Sequence, residues 1–211
     1  MASDVDICNM ALSHLGADAT VASISPPDGS AEAGHCARFY PIARRILIDA
    51  HSWTWSKTRA TLAEVTNPST VWTYAYALPS NCIRPLRVLQ LSALSALTTT
   101  EPTTLGLLDE RGSSQFDIES GVLLTHEPEA VLLYRRDVTD SSRFPPLATS
   151  ALSLLLASYL AGPIIKGLEG ANIGGKLRDQ AMALLAKAAA ADANSTVESN
   201  EFTPASLGAR G

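Results

Sequence analysis

The chain has 211 residues and a mass of 22.3 kDa, room for one large domain or two small ones. Hydrophobic residues make up 46% and charged residues 18%, so the chain can bury a substantial core and is not disordered overall. A formal charge of −5 argues against a protein that grips nucleic acid by global attraction, because phosphate neutralisation needs clustered Lys and Arg. It leaves room for contact with DNA that slides freely. Cys8, Cys36 and Cys82 form an odd, sparse set, not a disulfide framework. They read as small buried apolar groups in a protein made in a reducing cytoplasm. The opening Met1-Ala2-Ser3-Asp4 lacks the basic region and apolar run of a secretory signal.

Val5, Cys8, Leu12 and Leu15 follow helical spacing, which predicts a first helix from Asp4 to Leu15 with Gly16 as its stop. Ser23, Ser25, Pro26, Pro27, Asp28 and Gly29 punctuate the loop that follows. A second helix is predicted from Ser30 to His51. Asp28 or Ser30 caps it, and Cys36, Phe39, Tyr40, Ala43, Ile46, Leu47 and Ala50 form its apolar stripe. Pro41 is expected to kink that helix or divide it. Trp53-Thr54-Trp55 reads as a short extended turn that buries large rings at the helix end.

The texture changes from Asn67 to Asp137. Val71–Leu78, Arg84–Leu91, Ser113–Ile118, Val122–Leu124 and Val131–Arg135 read as short strands, with Glu119-Ser120-Gly121 as a hairpin turn. The Thr-rich run Leu97–Thr104 reads as a surface loop. Helices then return, from Pro145 to Ala161 with Gly162-Pro163 as the stop, and from Asn172 to Ala193. Pro146, Ser150, Ser153, Ala157 and Ala161 give the first of these a face of small groups. The fold class expected is α+β, mainly α: an antiparallel helical bundle (1–66 and 140–193) with an inserted small β module (67–139) and an extended C-terminal tail (194–211). Phe144 to Ile165 carries no charge and is long enough to span a bilayer. Its prolines, serines and Gly162 favour a buried core helix, and no membrane partner is expected.

Gly170-Ala171-Asn172-Ile173-Gly174-Gly175-Lys176 has the spacing of a phosphate-binding loop, but Leu177 stands where Ser or Thr must hold magnesium, and no strand precedes it. A flexible connection between two helices, with Lys176 in water, is the expectation. Cys8, His14, His35, Cys36, His51 and Cys82 lack the close paired spacing of a zinc site. Asp109, Glu110, Asp117 and Glu119 could make an acid/base pair in a small hydrolase, yet read first as exposed turn acids. Trp53, Trp55, Trp72, Tyr74 and Tyr76 could stack bases, but no Lys or Arg surrounds them and packing is favoured. Arg44-Arg45 and Arg135-Arg136 are expected to pair with acids on a neighbouring helix or subunit. No catalytic, metal or cofactor-binding residue is assigned.

Ile7-Cys8-Asn9-Met10-Ala11-Leu12-Ser13-His14-Leu15-Gly16 is followed by Asp28-Gly29-Ser30-Ala31-Glu32-Ala33, Cys36-Ala37-Arg38-Phe39-Tyr40-Pro41-Ile42-Ala43-Arg44-Arg45, and Trp53-Thr54-Trp55-Ser56 leading into Arg59-Ala60-Thr61-Leu62-Ala63. This order resembles the tail tubular protein A family, the head-to-tail adaptor or gatekeeper proteins of tailed bacteriophages. The resemblance implies a non-enzymatic ring, usually of twelve copies, below the portal protein in the virion. Such a ring extends the channel for genomic double-stranded DNA and docks a nozzle or other tail component. It implies scaffold and subunit-contact roles for Arg38, Phe39, Tyr40, Arg44, Arg45, Trp53 and Trp55. It makes the tail with Phe202, Leu207 and Arg210 the portal-binding candidate, and turns the β module toward the next tail component.

Overall fold

Ser3 starts the first helix. Its hydroxyl accepts from the Asp6 N–H at 3.1 Å, and the Asp6 carboxylate accepts from the Ser3 N–H at 2.9 Å. This reciprocal cap sets the start of α1 (Asp4–His14), and Gly16, at a φ of 69°, lies just beyond its end. The computed structural model describes residues 2–89 and 113–195.

The Asn9 side chain then clamps the loop, accepting from Val21 N at 2.8 Å and donating to Val21 O at 3.1 Å. Asp28 organises the next turn by accepting from Ala22 N, Ser30 N and Ser30 Oγ. Those bonds, the Ser30 hydroxyl first, hold its carboxyl down at about 2, against an ordinary 3.8. A lowered folded-state value contributes stability above the ordinary value, and that contribution is lost as the pH falls toward 2. Asp28→Asn is therefore expected to flatten the acid limb of a plot of unfolding midpoint against pH. An unchanged acid limb would show that these bonds do not hold the loop.

Ser30 caps α2 (Ala31–Ala50) by accepting from Ala33 N. Pro41 does not divide this helix, which is continuous from Ala31 to Ala50. Pro41 lies on the exposed side, where the Ala37 carbonyl it frees can turn to water.

Among the described residues seven strands follow: β1 (Lys57–Thr61), β2 (Tyr74–Ala77), β3 (Cys82–Leu89), β4 (Ser113–Ser114), β5 (Phe116–Glu119), β6 (Val122–Thr125) and β7 (Val131–Arg136). They form two antiparallel sheets, ordered β1-β7-β3-β4 and β2-β6-β5. The predicted stretch 113–118 is broken at Gln115 and belongs to both sheets. Strand β1 lies ahead of the segment in which the sequence placed strands, and pairs with β7 from Lys57↔Arg135 to Thr61↔Val131. Pro85 cannot donate to a ladder, and β3 slips register against β7 on either side of it. Between β5 and β6, Ser120 and Gly121 both take positive φ, 51° and 81°, as the predicted hairpin turn requires. Leu62, Tyr76, Val88, Leu123, Leu132 and Tyr134 fill a small core shared by the two sheets.

A short 3-10 turn (Ser141–Arg143) leads into α3 (Pro146–Ile165), and α4 (Gly167–Ser195) closes the described part. The fold is thus mixed α and β, with four helices among the described residues. Helix α3 is the hub: Leu152, Leu155, Leu156 and Leu160 are buried among side chains of α1, α2 and α4. Two expectations fail here. Gly162-Pro163 does not end α3, which runs on to Ile165. Pro163 sits in the last turn, where its fixed φ suits a helix and it removes only one bond. The reversal comes at Lys166 and Gly167, both at φ 64°. Helix α4 also starts earlier than predicted and extends to Ser195, so the first two residues of the expected tail are helical. Leu97–Thr104 and the rest of the tail lie outside the described residues.

Candidate functional site

The segment carrying the family resemblance forms a frame tied to distant parts of the chain at three points. First, Asp137, just after β7, accepts from Arg44 Nε at 3.1 Å and Arg44 Nη2 at 3.0 Å, with Arg45 Nε at 3.4 Å. Arg44 is nearly buried, at 11% side-chain exposure, whereas Arg45 is 60% exposed. Second, Arg135 donates to the Asp49 carbonyl at 2.6 Å and to Ser52 Oγ at 2.7 Å, supplying donors at the negative end of α2. Asp49 in turn accepts from Arg84 Nε at 2.6 Å and Nη2 at 2.8 Å, and the Arg84 hydrogen bond holds its carboxyl below the ordinary value. Of the basic doublets, Arg135 meets an acid on a neighbouring helix, Asp49 of α2 at 3.7 Å, whereas the acid that Arg44 and Arg45 meet, Asp137, follows a strand and lies on no helix.

Third, the turn after α2 docks on α4. Trp53 is 1% exposed and its Nε1 donates to the Leu47 carbonyl at 2.7 Å. Its ring stacks on Trp55 at 5.6 Å and meets the His51 ring edge-on at 4.9 Å. Trp55, half-buried, packs on Phe144 at 5.0 Å. Asp192 of α4, itself only 9% exposed, accepts from Thr54 N at 2.9 Å and Thr54 Oγ1 at 2.7 Å. No sequence motif marks Asp137 or Asp192. Each acts across a separation that no local pattern carries.

The remaining frame residues divide by exposure. Tyr40 is 3% exposed, burial pushes its phenol up, and Arg44 lies 6.0 Å above its ring. Tyr40 and Trp53 are therefore interior side chains in this fold, not side chains that a second copy can reach. Phe39 stacks on Tyr159 of α3 at 5.8 Å and is half-buried. Arg38 and Arg45 are exposed. Phe202, Leu207 and Arg210 lie outside the described residues.

The glycine-rich segment 170–176 is neither a phosphate loop nor a flexible connection. It is the interior of α4. Gly170 and Gly174, four apart, lie on the side facing α3. A Cβ at Gly170 would stand 2.7 Å from the Ala161 carbonyl oxygen, and one at Gly174 2.9 Å from the Ser158 carbonyl oxygen. Glycine is needed there because two backbones approach. Gly175 faces open space and Lys176 is exposed. Gly174→Ala is expected to destabilise by about 1–3 kcal/mol, because a rigid carbonyl must move. Gly175→Ala is expected to stabilise by up to about 1 kcal/mol through helix propensity. Thermal unfolding of the two variants measures this contrast, and equal shifts would contradict the packing assignment.

Helices α1 and α3 leave an open cavity of about 500 Å³ lined by Asp6, Asn9, Met10, Ser13, His14, Ser150, Ser153 and Leu154. Here His14 Nε2 lies 3.2 Å from Ser153 Oγ, which gives its own proton to the Ser150 carbonyl at 2.9 Å. The thiols of Cys8 and Cys36 meet inside the helical core, and that contact and burial push the Cys8 thiol far up. No group of three His, Cys, Asp or Glu side chains suited to a metal occurs among the described residues. The five aromatic residues do not form one platform: Trp72 packs on His126 at 4.7 Å, and Tyr74 and Tyr76 pair at 6.4 Å, away from Trp53 and Trp55. Asp117 and Glu119 are exposed on β5, while Asp109 and Glu110 lie outside the described residues. No protein-family model matches the chain, and no curated protein matches it.

Proposed function

We propose that this chain is a structural, non-enzymatic virion protein: a head-to-tail adaptor that assembles as a ring, of about twelve copies by family analogy, beneath a phage portal. The ring extends the DNA channel and docks the tail or nozzle. In this reading the helices act as an antiparallel bundle, the strands as an inserted module and the C-terminal segment as an extended arm. The protein is made in the host cytoplasm and works at the head–tail junction. One observation supports the reading most. The residues that carry the resemblance form α1, α2 and the tryptophan turn, and Arg44–Asp137 and Thr54–Asp192 tie that frame to the sheet and to α4. Partner DNA passes through the lumen without specific binding, consistent with the net charge of −5.

Removing residues 196–211 is expected to abolish attachment to portal-bearing capsids and to leave the melting temperature unchanged. A truncated chain that still docks would overturn the role of the arm. Lys176→Ala is expected to change neither assembly nor any nucleotide-dependent property, and Lys176-dependent ATP hydrolysis would contradict the non-enzymatic reading.

A second reading, membrane association, draws on α3, which is long and apolar enough to cross a bilayer. More than half of that apolar window, 56%, is buried inside the fold, so the helix would have to leave its partners to enter lipid. Liposome flotation separates the two readings: an adaptor stays in the unbound fraction, a membrane protein rises with the vesicles.

A further inference from the structure

The register of the four-stranded sheet gathers cations that lie far apart in the sequence. Strand β7 stands between β1 and β3, and Lys57 and Arg84 both face Arg135 across it. Two residues along β7, Arg59 and Arg87 both face Leu133. Residues directly opposite, and residues two apart on one strand, share a face of a sheet. Five cations therefore stand on one face. Their two rows are about 7 Å apart along the strands, and β1 and β3 lie about 10 Å apart across them. Lys57, Arg59 and Arg84 are exposed, and Arg87 is half-buried. Like charges directly opposite destabilise a sheet, so this face calls for anions. Asp49 of α2 answers part of the first row, at 2.6 Å from Arg84 and 3.7 Å from Arg135. Burial, and then the neighbouring Arg84 charge, still push Arg135 below its ordinary value. Lys57 and Arg87 meet no carboxylate among the described residues.

We propose that this face of β1, β7 and β3 binds the phosphate backbone of double-stranded DNA. Chemistry chooses the occupant. The apolar residues of the face, Leu133, Val131 and Leu89, are all buried, so it offers a protein partner nothing apolar to cover. An interface between proteins has an apolar centre, whereas one with DNA is polar and strongly positive. Four of the five cations are arginines, whose planar fork fits a phosphate with two parallel hydrogen bonds. Cations repeated in two rows suit an anion whose charge repeats along its length. Such contacts position a duplex without reading its bases, which agrees with DNA that passes without specific binding. A chain of net charge −5 holds DNA here through local clustering, not through its total. The proposal goes beyond the adaptor reading by giving the chain a surface for the duplex, and the purified chain tests it without a ring or a particle.

The test is fluorescence anisotropy of the full chain with a labelled duplex of mixed sequence. Wild-type affinity is expected to fall about a hundredfold between about 50 and about 200 mM salt, as for about four phosphate contacts. Lys57→Gln with Arg87→Gln is expected to weaken binding at least about tenfold at the lower salt and to reduce the logarithmic salt slope by about two. Its melting temperature should stay unchanged, since neither side chain holds an ion pair among the described residues. Lys176→Gln with Arg178→Gln, both exposed on α4, removes the same charge and is expected to leave binding as it is. Equal weakening by the two double variants assigns the attraction to total charge and overturns the proposal. So does wild-type binding in the Lys57→Gln, Arg87→Gln variant, or a wild-type chain that binds no tighter than about 1 mM at the lower salt. Self-association lost in that variant with DNA binding intact, read by sedimentation velocity, assigns the face to an acidic surface of a second copy and also overturns it. DNA binding that depends on Lys57 and Arg87, in a chain absent from virus particles, upholds this face and ends the adaptor reading.

Discussion

Trp53→Ala is expected to destabilise the protein by about 3–5 kcal/mol, the range for removing a fully buried large aromatic side chain. The ring is 1% exposed and stands where α2, the turn to β1 and α4 meet. Its loss opens a cavity beneath Trp55 and His51 and leaves the Leu47 carbonyl without its donor. Trp53→Phe should recover part of the packing and none of that hydrogen bond. Chemical denaturation of the three proteins gives the ordering wild type, phenylalanine, alanine. An alanine variant within about 1 kcal/mol of wild type would remove the tryptophan turn from the core of the account.

Asp137→Ala is expected to cost about 3 kcal/mol, because it leaves a nearly buried guanidinium without its counter-charge. Arg44 is only 11% exposed and lies over the Tyr40 ring, so water cannot replace the lost carboxylate well. Replacing both members, Arg44→Met with Asp137→Leu, is expected to cost much less than Asp137→Ala alone, since neither charge is then stranded. A double variant as unstable as the single one would show that a stranded charge is not the cause of the loss. The exposed pair Arg84–Asp49 should behave differently, with a small and salt-sensitive effect on removal.

Local signals carried the starts of α1, α2 and α3 and the hairpin, but not the start of α4. Ser3 and Ser30 cap as their chemistry dictates, Gly16 lies past α1, and Ser120-Gly121 turns β5 into β6. What local pattern could not carry was decided by distant partners. Lys57-Thr58-Arg59-Ala60-Thr61 is polar and short, and becomes a strand because β7 offers it a ladder. Gly170 to Lys176 has the local signature of a loop, yet it is helical, and Gly170 and Gly174 stand where α3 brings carbonyls into the space of a side chain. The spacing of Gly170 and Gly174 was the available clue, since four residues put both on one helix face. Among the candidate contact residues, sequence could not separate Tyr40 and Trp53, which are interior, from Arg38 and Arg45, which are not. An aromatic residue reads the same in a core and at an interface until its neighbours are known.

Imaging virus particles by electron microscopy with this chain labelled tests the central claim most directly. The account predicts density from several copies, closed around the channel axis, at a single vertex between portal and tail. Label spread over the whole shell, or absent from particles that carry complete tails, would contradict it.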